Sequence, residues 1–320
     1  MGKRRLAVSV DLGGTRFRVA LCDPAGQLVA RAEYPTRPER GPIAVLDDLA
    51  AAVRHALAAV PGDAEVVGVV VAAPGPLDPW RGVIYAAPNL PGWEHLPLAA
   101  ELSARCGLPV RVGNDANLAA VGEHRLGAGR GTADMIYVTV STGIGGGIIV
   151  GGRLLLGAHG GAGEIGHTVL DPDGPPCSCG KRGCLEALGS GTAIARQANA
   201  AVAAGRPTVL AQYAPPLTAE QVDAAADDGD ALAQGIIDAA ARAVGLGLTN
   251  LLHLFDPEVI VVGGGVTRSG ARWWAEVRGE IERRALPFYL RDNRVVPAAL
   301  GDDAGLVGAA LYLLDEVGTA

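Results

Sequence analysis

Residues 6–22 read LAVSVDLGGTRFRVALC, two apolar runs joined by Asp11-Leu12-Gly13-Gly14-Thr15. Residues 6–10 and 17–22 have the length and β-branched content of strands, and residues 27–33 offer a third. Pro24-Ala25-Gly26 supplies a turn before that third run, so the spacing predicts an antiparallel meander. Gly13 and Gly14 let backbone N–H groups approach an anion, and Thr15 adds a hydroxyl donor. Asp11, at the strand end, is a candidate to hold Mg²⁺ directly or through water. Taken alone, the same five residues read equally well as a plain tight hairpin turn. A Rossmann dinucleotide site fits poorly, because this turn leads into a strand and not a helix.

Working outward, residues 43–59 are Ala-rich with helical spacing, and residues 65–72 form an apolar strand ending at Pro74-Gly75-Pro76. A helix is expected over residues 98–106 and a strand over 110–112. A second helix is expected over 116–126, with Asn114 or Asp115 as its N-cap. The plan then repeats with strands at 135–141, 144–150 and 153–156, whose first turn holds Ser141-Thr142-Gly143. Helical segments run to about residue 225, and a long helix over 230–254 contains Gly245 and Gly247, which points to a closely packed neighbour. A strand at 259–262 ends in Gly263-Gly264-Gly265, followed by helices near 273–284 and 304–314. This duplicated plan predicts an α/β protein of two lobes facing one cleft, with a phosphate-type turn in each. The boundary is expected near residue 116: a small lobe, 1–115, rejoined by a C-terminal helix at 303–320, and a large lobe, 116–302. A length of 320 residues, more than a single core usually supports, agrees with two lobes.

Composition narrows the function classes. The chain is 49% hydrophobic, with 46 glycines and only 4% aromatic residues, an economy suited to an α/β enzyme packed with small side chains. A net charge of −7 argues against nucleic-acid or anionic-membrane partners. No uninterrupted apolar stretch of about twenty residues occurs, so no membrane span is expected. The start, MGKRRLAVSVDLGG, is basic, but its apolar run reaches Asp11 too soon for a signal peptide. Leu6 stands where myristoylation favours Ser or Thr. A cytoplasmic location is therefore expected.

Residues 161–186, GAGEIGHTVLDPDGPPCSCGKRGCLE, hold three of the five cysteines. Cys177, Cys179 and Cys184 together with His167 make a complete tetrahedral ligand set for Zn²⁺. Gly174, Pro175, Pro176, Gly180 and Gly183 supply turns that let a short peptide wrap one ion. With all four positions filled by protein, such a zinc is structural. Clustered cysteines read as metal binding in a reducing compartment, not as a disulfide framework, and Cys22 and Cys106 read as apolar fillers. Glu164 and Glu186 flank the cluster without being needed as ligands.

The P-loop pattern is absent, and Lys3 and Lys181 are the only lysines, so backbone amides and Mg²⁺ must carry the phosphate charge of any nucleotide. Gly161, Gly163 and Gly166 spell GxGxxG but run straight into His167, which discounts a dinucleotide fingerprint. Asn114-Asp115 reads as a helix cap unless a substrate claims it, and Asn89 reads as turn chemistry.

The chain resembles the ROK family of sugar kinases and related repressors, and among them glucokinases. The resemblance is carried by DLGGT at 11–15, APG at 73–75, PNLPGW at 88–93, NDANLAAVGE at 114–123 and STGIGGGI at 141–148. It continues through GEIGH at 163–167, CSCGKRGCLE at 177–186, VVGGGV at 261–266 and DDAGLVGAA at 302–310. It implies a two-lobed actin/hexokinase-like, ribonuclease H-like α/β fold. Asp115 would be the base that takes the proton of the reacting sugar hydroxyl. Asn89, Asn114, Glu164, His167 and Glu186 would bind the other hydroxyls, and Gly75 would border the sugar. Gly13, Gly14, Thr15, Thr142, Gly143 and Gly264 would line the ATP site, with Asp11 near Mg²⁺. The implied reaction is transfer of a phosphoryl group from ATP to the 6-hydroxyl of glucose. The alternative is another sugar: N-acetylmannosamine, fructose, mannose or allose. A homodimer or homotetramer is expected from the same resemblance. Family repressors carry a helix-turn-helix before the DLGGT-like strand; here that strand begins within ten residues of Met1, so an enzyme is expected.

Overall fold

The near-continuous apolar run of the first strand is explained by burial on both of its faces. β1 (Arg4–Leu12) pairs antiparallel with β2 (Arg16–Cys22), which pairs antiparallel with β3 (Leu28–Pro35). Next come α1 (Pro42–Ala58) and β4 (Ala64–Ala73), which runs parallel to β1. In the computed structural model, which describes residues 3–87, 89–292 and 294–318, one face of β1 (Leu6, Val8, Val10) packs with Val45, Leu46, Leu49 and Val53 of α1. Met1 and Gly2, Pro88 of the PNLPGW stretch, and residues 319 and 320 of the expected C-terminal segment lie outside the described residues.

Three short strands follow: β5 (Leu77–Asp78), β6 (Val83–Ala86) and β7 (Glu94–Leu96), an antiparallel sheet of their own. After α2 (Leu98–Cys106), β8 (Val110–Asn114) adds parallel to β4, completing the order β3-β2-β1-β4-β8. α3 (Asp115–Leu126) starts directly at the end of β8. The small sheet has no counterpart in the sequence reading, because strands of two to four residues beside Pro and Gly carry no legible period.

The second sheet is built from β9 (Met135–Val140), β10 (Ile144–Val150) and β11 (Arg153–Leu154), with later strands added to it. The helices α4 (Leu185–Gly189), α5 (Gly191–Ala203), α6 (Ala219–Asp227) and α7 (Ala231–Phe255) come next. β12 (Val259–Gly263), α8 (Gly270–Arg284), β13 (Val295–Pro297) and α9 (Ala304–Gly318) complete the chain. The sheet order is β11-β10-β9-β12-β13, with β9, β12 and β13 mutually parallel. β11 is shorter than the strand expected over 153–156, and β13 was not foreseen.

The chain divides into two compact units: Met1–Ala133, Gly147–Gly163 and Ala299–Ala320 in the first, Asp134–Gly146 and Glu164–Ala298 in the second. α9 thus returns to the first unit, where Ala309, Ala310 and Leu313 pack with Leu118 of α3 and with Ala7, Val70 and Ala72 on the other face of the sheet. The helices α3 and α9 meet backbone to backbone: a Cβ on Gly122 would lie 2.5 Å from the Ala304 carbonyl, and one on Gly308 would strike the Leu118 carbonyl.

In the second unit, α7 is central. Gly245 admits the backbone of α8, since a Cβ there would come within 2.7 Å of the Val277 carbonyl, and Gly247 admits Leu185 of α4. These are the close neighbours the two glycines announce. α7 is also the one described helix long and apolar enough to cross a membrane by length and composition, yet 56% of that window is buried within the protein. Asp238 and Arg242 on it pair with Arg272 and Glu276 of α8, so its polar stripe is used inside the protein too.

Candidate active site and metal centre

In the first unit, parallel strands bring the predicted residues to one edge. Asp11 of β1 is level with Ala72 of β4, and Ala73 of β4 is level with Asn114 of β8. The segments leaving these three carboxyl ends are the Gly13-Gly14-Thr15 turn, the Pro74-Gly75-Pro76 loop and the start of α3. Outside the carboxyl ends of parallel strands is where α/β sheets bind ligands. The turn is held by a Gly13 N–H bond to the Arg16 carbonyl (3.0 Å) and by the Thr36 hydroxyl on the Gly13 carbonyl (2.7 Å). Gly14 lies against Asn89, whose Cβ would be 2.8 Å from a Cβ at Gly14, so the phosphate-type turn and the PNLPGW loop are in contact. Gly75, at φ 87°, abuts Ala86 and Ala87 at the start of that loop.

Asn114 is the N-cap of α3: its Oδ1 accepts from the N–H groups of Ala116 (3.0 Å) and Asn117 (3.1 Å). The cap occupies the side-chain oxygen and leaves the amide NH₂ as its donor toward a ligand. Asp115 is the first helical residue, and its Oδ1 accepts from the Ala116 N–H at 2.7 Å. Capping and substrate binding are therefore compatible at this pair. Asp11 is paired with Arg18 directly across the β1–β2 hairpin.

In the second unit, the Ser141-Thr142-Gly143 turn closes with the Ser141 N–H on the Gly143 carbonyl at 2.8 Å. Its carbonyls at Ser141 and Thr142 accept from the N–H groups of Gly191 (2.7 Å) and Thr192 (3.2 Å) at the start of α5. Gly264, at φ 95°, follows β12 and crosses the end of β9, where a Cβ would sit 2.7 Å from the Val140 nitrogen. Thr142, Gly143 and Gly264 are thus neighbours at one sheet edge. Glu186, in the first turn of α4, joins them: its Oε2 accepts from the Ile144 N–H at 3.0 Å. Glu164 is exposed, just ahead of His167, whose N–H bonds the Glu164 carbonyl at 3.1 Å.

The side chains of His167, Cys177, Cys179 and Cys184 converge, with one ligand atom from each within 4.8 Å of the others. The Cys177 Sγ is 3.6 Å from His167 Nδ1, and the Cys179 and Cys184 sulfurs are 3.7 Å apart. A tetrahedron with metal–sulfur bonds of about 2.3 Å has edges of roughly 3.8 Å, so the spacing fits one ion. The loop is shaped by backbone bonds from Cys177 N–H to the Lys181 carbonyl (2.8 Å) and from Gly180 N–H to the Cys177 carbonyl (3.1 Å). Burial, reinforced by the neighbouring Cys177 and Cys179 sulfurs, pushes the Cys184 thiol up to about 12. The Lys181 backbone N–H draws the Cys179 thiol below its usual range. Burial and neighbouring sulfurs that oppose a thiolate at Cys184 are what a bound cation would relieve, so the donor set fits a metal. The His167 Nδ1 faces the sulfurs, which leaves Nε2 as the second ring nitrogen. Glu186 also borders this centre, its Oε1 accepting from the Ser178 hydroxyl at 2.9 Å.

Three residues near these sites were missed by sequence reasoning: Arg18, Glu123 and Asp302. Arg18 had a signal, since it faces Asp11 with opposite charge in a hairpin register. Glu123 had none, because its partners are backbone amides. Asp302 acts through its backbone carbonyl, for which side-chain identity gives no signal.

Comparison with known proteins follows the same lines. Residues 7–316 match the ROK family. A glucokinase of Halalkalibacterium halodurans is 40% identical over 309 residues, 95% of this chain and 93% of its own. An N-acetylmannosamine kinase of Escherichia coli O1:K1 is 34% identical over 310 residues, 97% of this chain and 99% of its own. The crystal structure of a ROK family glucokinase from Streptomyces griseus, in complex with glucose and AMPPNP, has a TM-score of 0.81 at 38% identity and covers 95% of this chain and 98% of its own. The fold is accordingly the actin-like α/β fold of ROK kinases. With the match running through every motif from the DLGGT turn to the last helix, the chain belongs to the ROK family.

Proposed function

We propose that this protein is an ATP-dependent hexose kinase that phosphorylates the 6-hydroxyl of glucose. The observation that carries the reading is the setting of Asp115. It stands at the first turn of α3, beside the capping Asn114, on the sheet edge that also bears Asp11 and Gly75. Its carboxylate takes the hydroxyl proton as the sugar oxygen attacks the γ-phosphorus; the P–O bond to the β-phosphate breaks, and ADP leaves with that electron pair. Such a transfer needs alignment and charge neutralisation more than a strong base. Gly75, Asn89, Asn114, Asp115, Glu164, His167 and Glu186 are the sugar-binding groups of this reading. Gly13, Gly14, Thr15, Thr142, Gly143 and Gly264 receive the nucleotide. Asp11 would hold Mg²⁺, which, when bound, neutralises charge on the β- and γ-phosphates. His167, Cys177, Cys179 and Cys184 would hold a structural zinc. The reading carries a cytoplasmic location, where ATP and a reducing environment for thiolates coincide, and a homodimer or homotetramer.

A second sugar, N-acetylmannosamine, is favoured by the kinases for it among the relatives, although the glucokinase likeness is the stronger. A coupled ADP-release assay across hexoses and N-acetylhexosamines tests the choice. Glucose is expected to give the highest kcat/KM, and glucose turnover no faster than the sugar-free background would overturn the proposal.

A further inference from the structure

Glu123, the last residue of the NDANLAAVGE stretch, is fully buried in the first unit, and among the described residues it forms no ion pair. Its partners are backbone amides. Oε2 accepts from the Ala128 N–H (2.9 Å), both oxygens accept from Ala299 (3.0 and 3.1 Å), and Oε1 accepts from Leu300 (2.7 Å). Its own carbonyl accepts from the N–H groups of Gly127 and Gly129, both at 3.0 Å. Donors, and no acceptor, converge on the carboxylate, which is how a buried anion without a cation is satisfied. A glutamine there would turn an NH₂ toward amide N–H groups.

The segment fastened this way, residues 299–303, leads straight to the phosphate-type turn. The Asp302 carbonyl accepts from Arg18 Nη1 at 2.5 Å, and the same guanidinium pairs with Asp11. Arg31 of β3 pairs with Asp303 at 2.9 Å. Gly305, at the start of α9, lies against the Asp11 carboxylate, 3.6 Å from its Cγ to a Cβ placed there. A continuous path therefore runs from Glu123 on α3 through the Ala299 and Leu300 amides and the Asp302 carbonyl to Arg18 and Asp11. The helix at its origin is the one whose first residue is Asp115.

We propose that Glu123 and Arg18 are positioning residues. They fasten the 299–303 strap between α3 and the β1–β2 hairpin, and so hold the Asp11 carboxylate in register with the helix that carries Asp115. The inference rests on the kinase reading for its kinetic consequence but not for its structural one. A loosened strap disturbs the nucleotide side, through Asp11, and leaves the sugar contacts of Asn89 and Asn114 in place.

The test is Glu123→Gln in the full-length protein, read by amide hydrogen exchange and by steady-state kinetics. Exchange is expected to quicken in residues 127–130 and 298–303, and to stay unchanged across β4. Misplacement of reacting groups by a distant mutation costs up to about a hundredfold, so kcat should fall roughly ten- to a hundredfold with a raised MgATP KM and a nearly constant glucose KM. Arg18→Met, at a partly exposed site that spares the core, should reproduce the MgATP defect. Arg18→Lys should recover part of it, because one ammonium can reach Asp11 but cannot also bridge to the Asp302 carbonyl with a planar fork. Unchanged exchange in 298–303 overturns the strap. A loss falling equally on MgATP and glucose KM overturns the positioning role. If the unmutated protein turns over no sugar, the kinase reading fails while the exchange experiment still decides the strap.

Discussion

The carboxylate of Glu186 accepts the N–H of Ile144 at 3.0 Å, which ties the first turn of α4 to the Ser141-Thr142-Gly143 turn. Its other oxygen accepts from Ser178, inside the cysteine loop, at 2.9 Å. One side chain thus links the cysteine cluster to the Ser141-Thr142-Gly143 turn. Glu186→Ala removes both acceptors, and its kcat/KM should fall at least about tenfold for glucose and for MgATP together. Steady-state titrations of each substrate check this; a defect confined to one substrate would separate the two roles.

The cysteine loop should contain a single tightly held zinc ion, detectable by elemental analysis of the purified protein. Removing it with a chelator, or substituting Cys184→Ser, frees the His167 ring from a fixed orientation. Glucose affinity, followed by titration calorimetry, should then weaken, whereas a metal knuckle remote from the sugar would leave it unchanged.

Two glycine-to-alanine changes should move stability in opposite directions. Gly308→Ala forces a methyl into the Leu118 carbonyl where α3 and α9 cross, at a cost of about 1–3 kcal/mol or more. Gly235→Ala, at an exposed position of α7 with open space around it, should stabilise by roughly 0.8–1 kcal/mol through helix propensity. Urea unfolding of both variants measures the pair.

Glu280 is buried on α8 and pairs with Arg283 (2.7 Å) and with Arg284. Burial pushes its carboxyl upward, but the two guanidinium groups outweigh this and hold it below the ordinary glutamate range. A depressed folded value means the stabilisation is complete above the unfolded value, about 4.3, and is lost as pH falls through the folded one. Glu280→Gln should therefore cost about 1.5–3 kcal/mol near neutrality. The difference from the unmutated protein should shrink in acid, as thermal melts across pH would record.

How legible the sequence was depended on which atoms do the work. The β1–β2–β3 meander and the helix after Asn114 are written in side-chain period and residue type, and the structure has them; it also brings together the His167, Cys177, Cys179 and Cys184 side chains that residue type singled out. Asn114 settles as the N-cap, between two candidates that sequence could not separate, because the choice turns on backbone angles. The β5–β7 sheet escaped because its strands are too short to show alternation. Glu123 escaped for a different reason: its partners are the amides of Ala128, Ala299 and Leu300, and any residue but proline presents such an amide. Gly308 belongs to the DDAGLVGAA motif, but its contact with Leu118 exists only where two helices cross.

The central claim, phosphoryl transfer to glucose with Asp115 as base, is tested most directly by Asp115→Asn. The measurement is the rate of ADP release with glucose and MgATP, taken beside glucose binding by the same protein. General-base assistance is worth roughly a hundred- to ten-thousandfold, so turnover should fall by that order while glucose still binds. Near-normal turnover in Asp115→Asn would contradict the account.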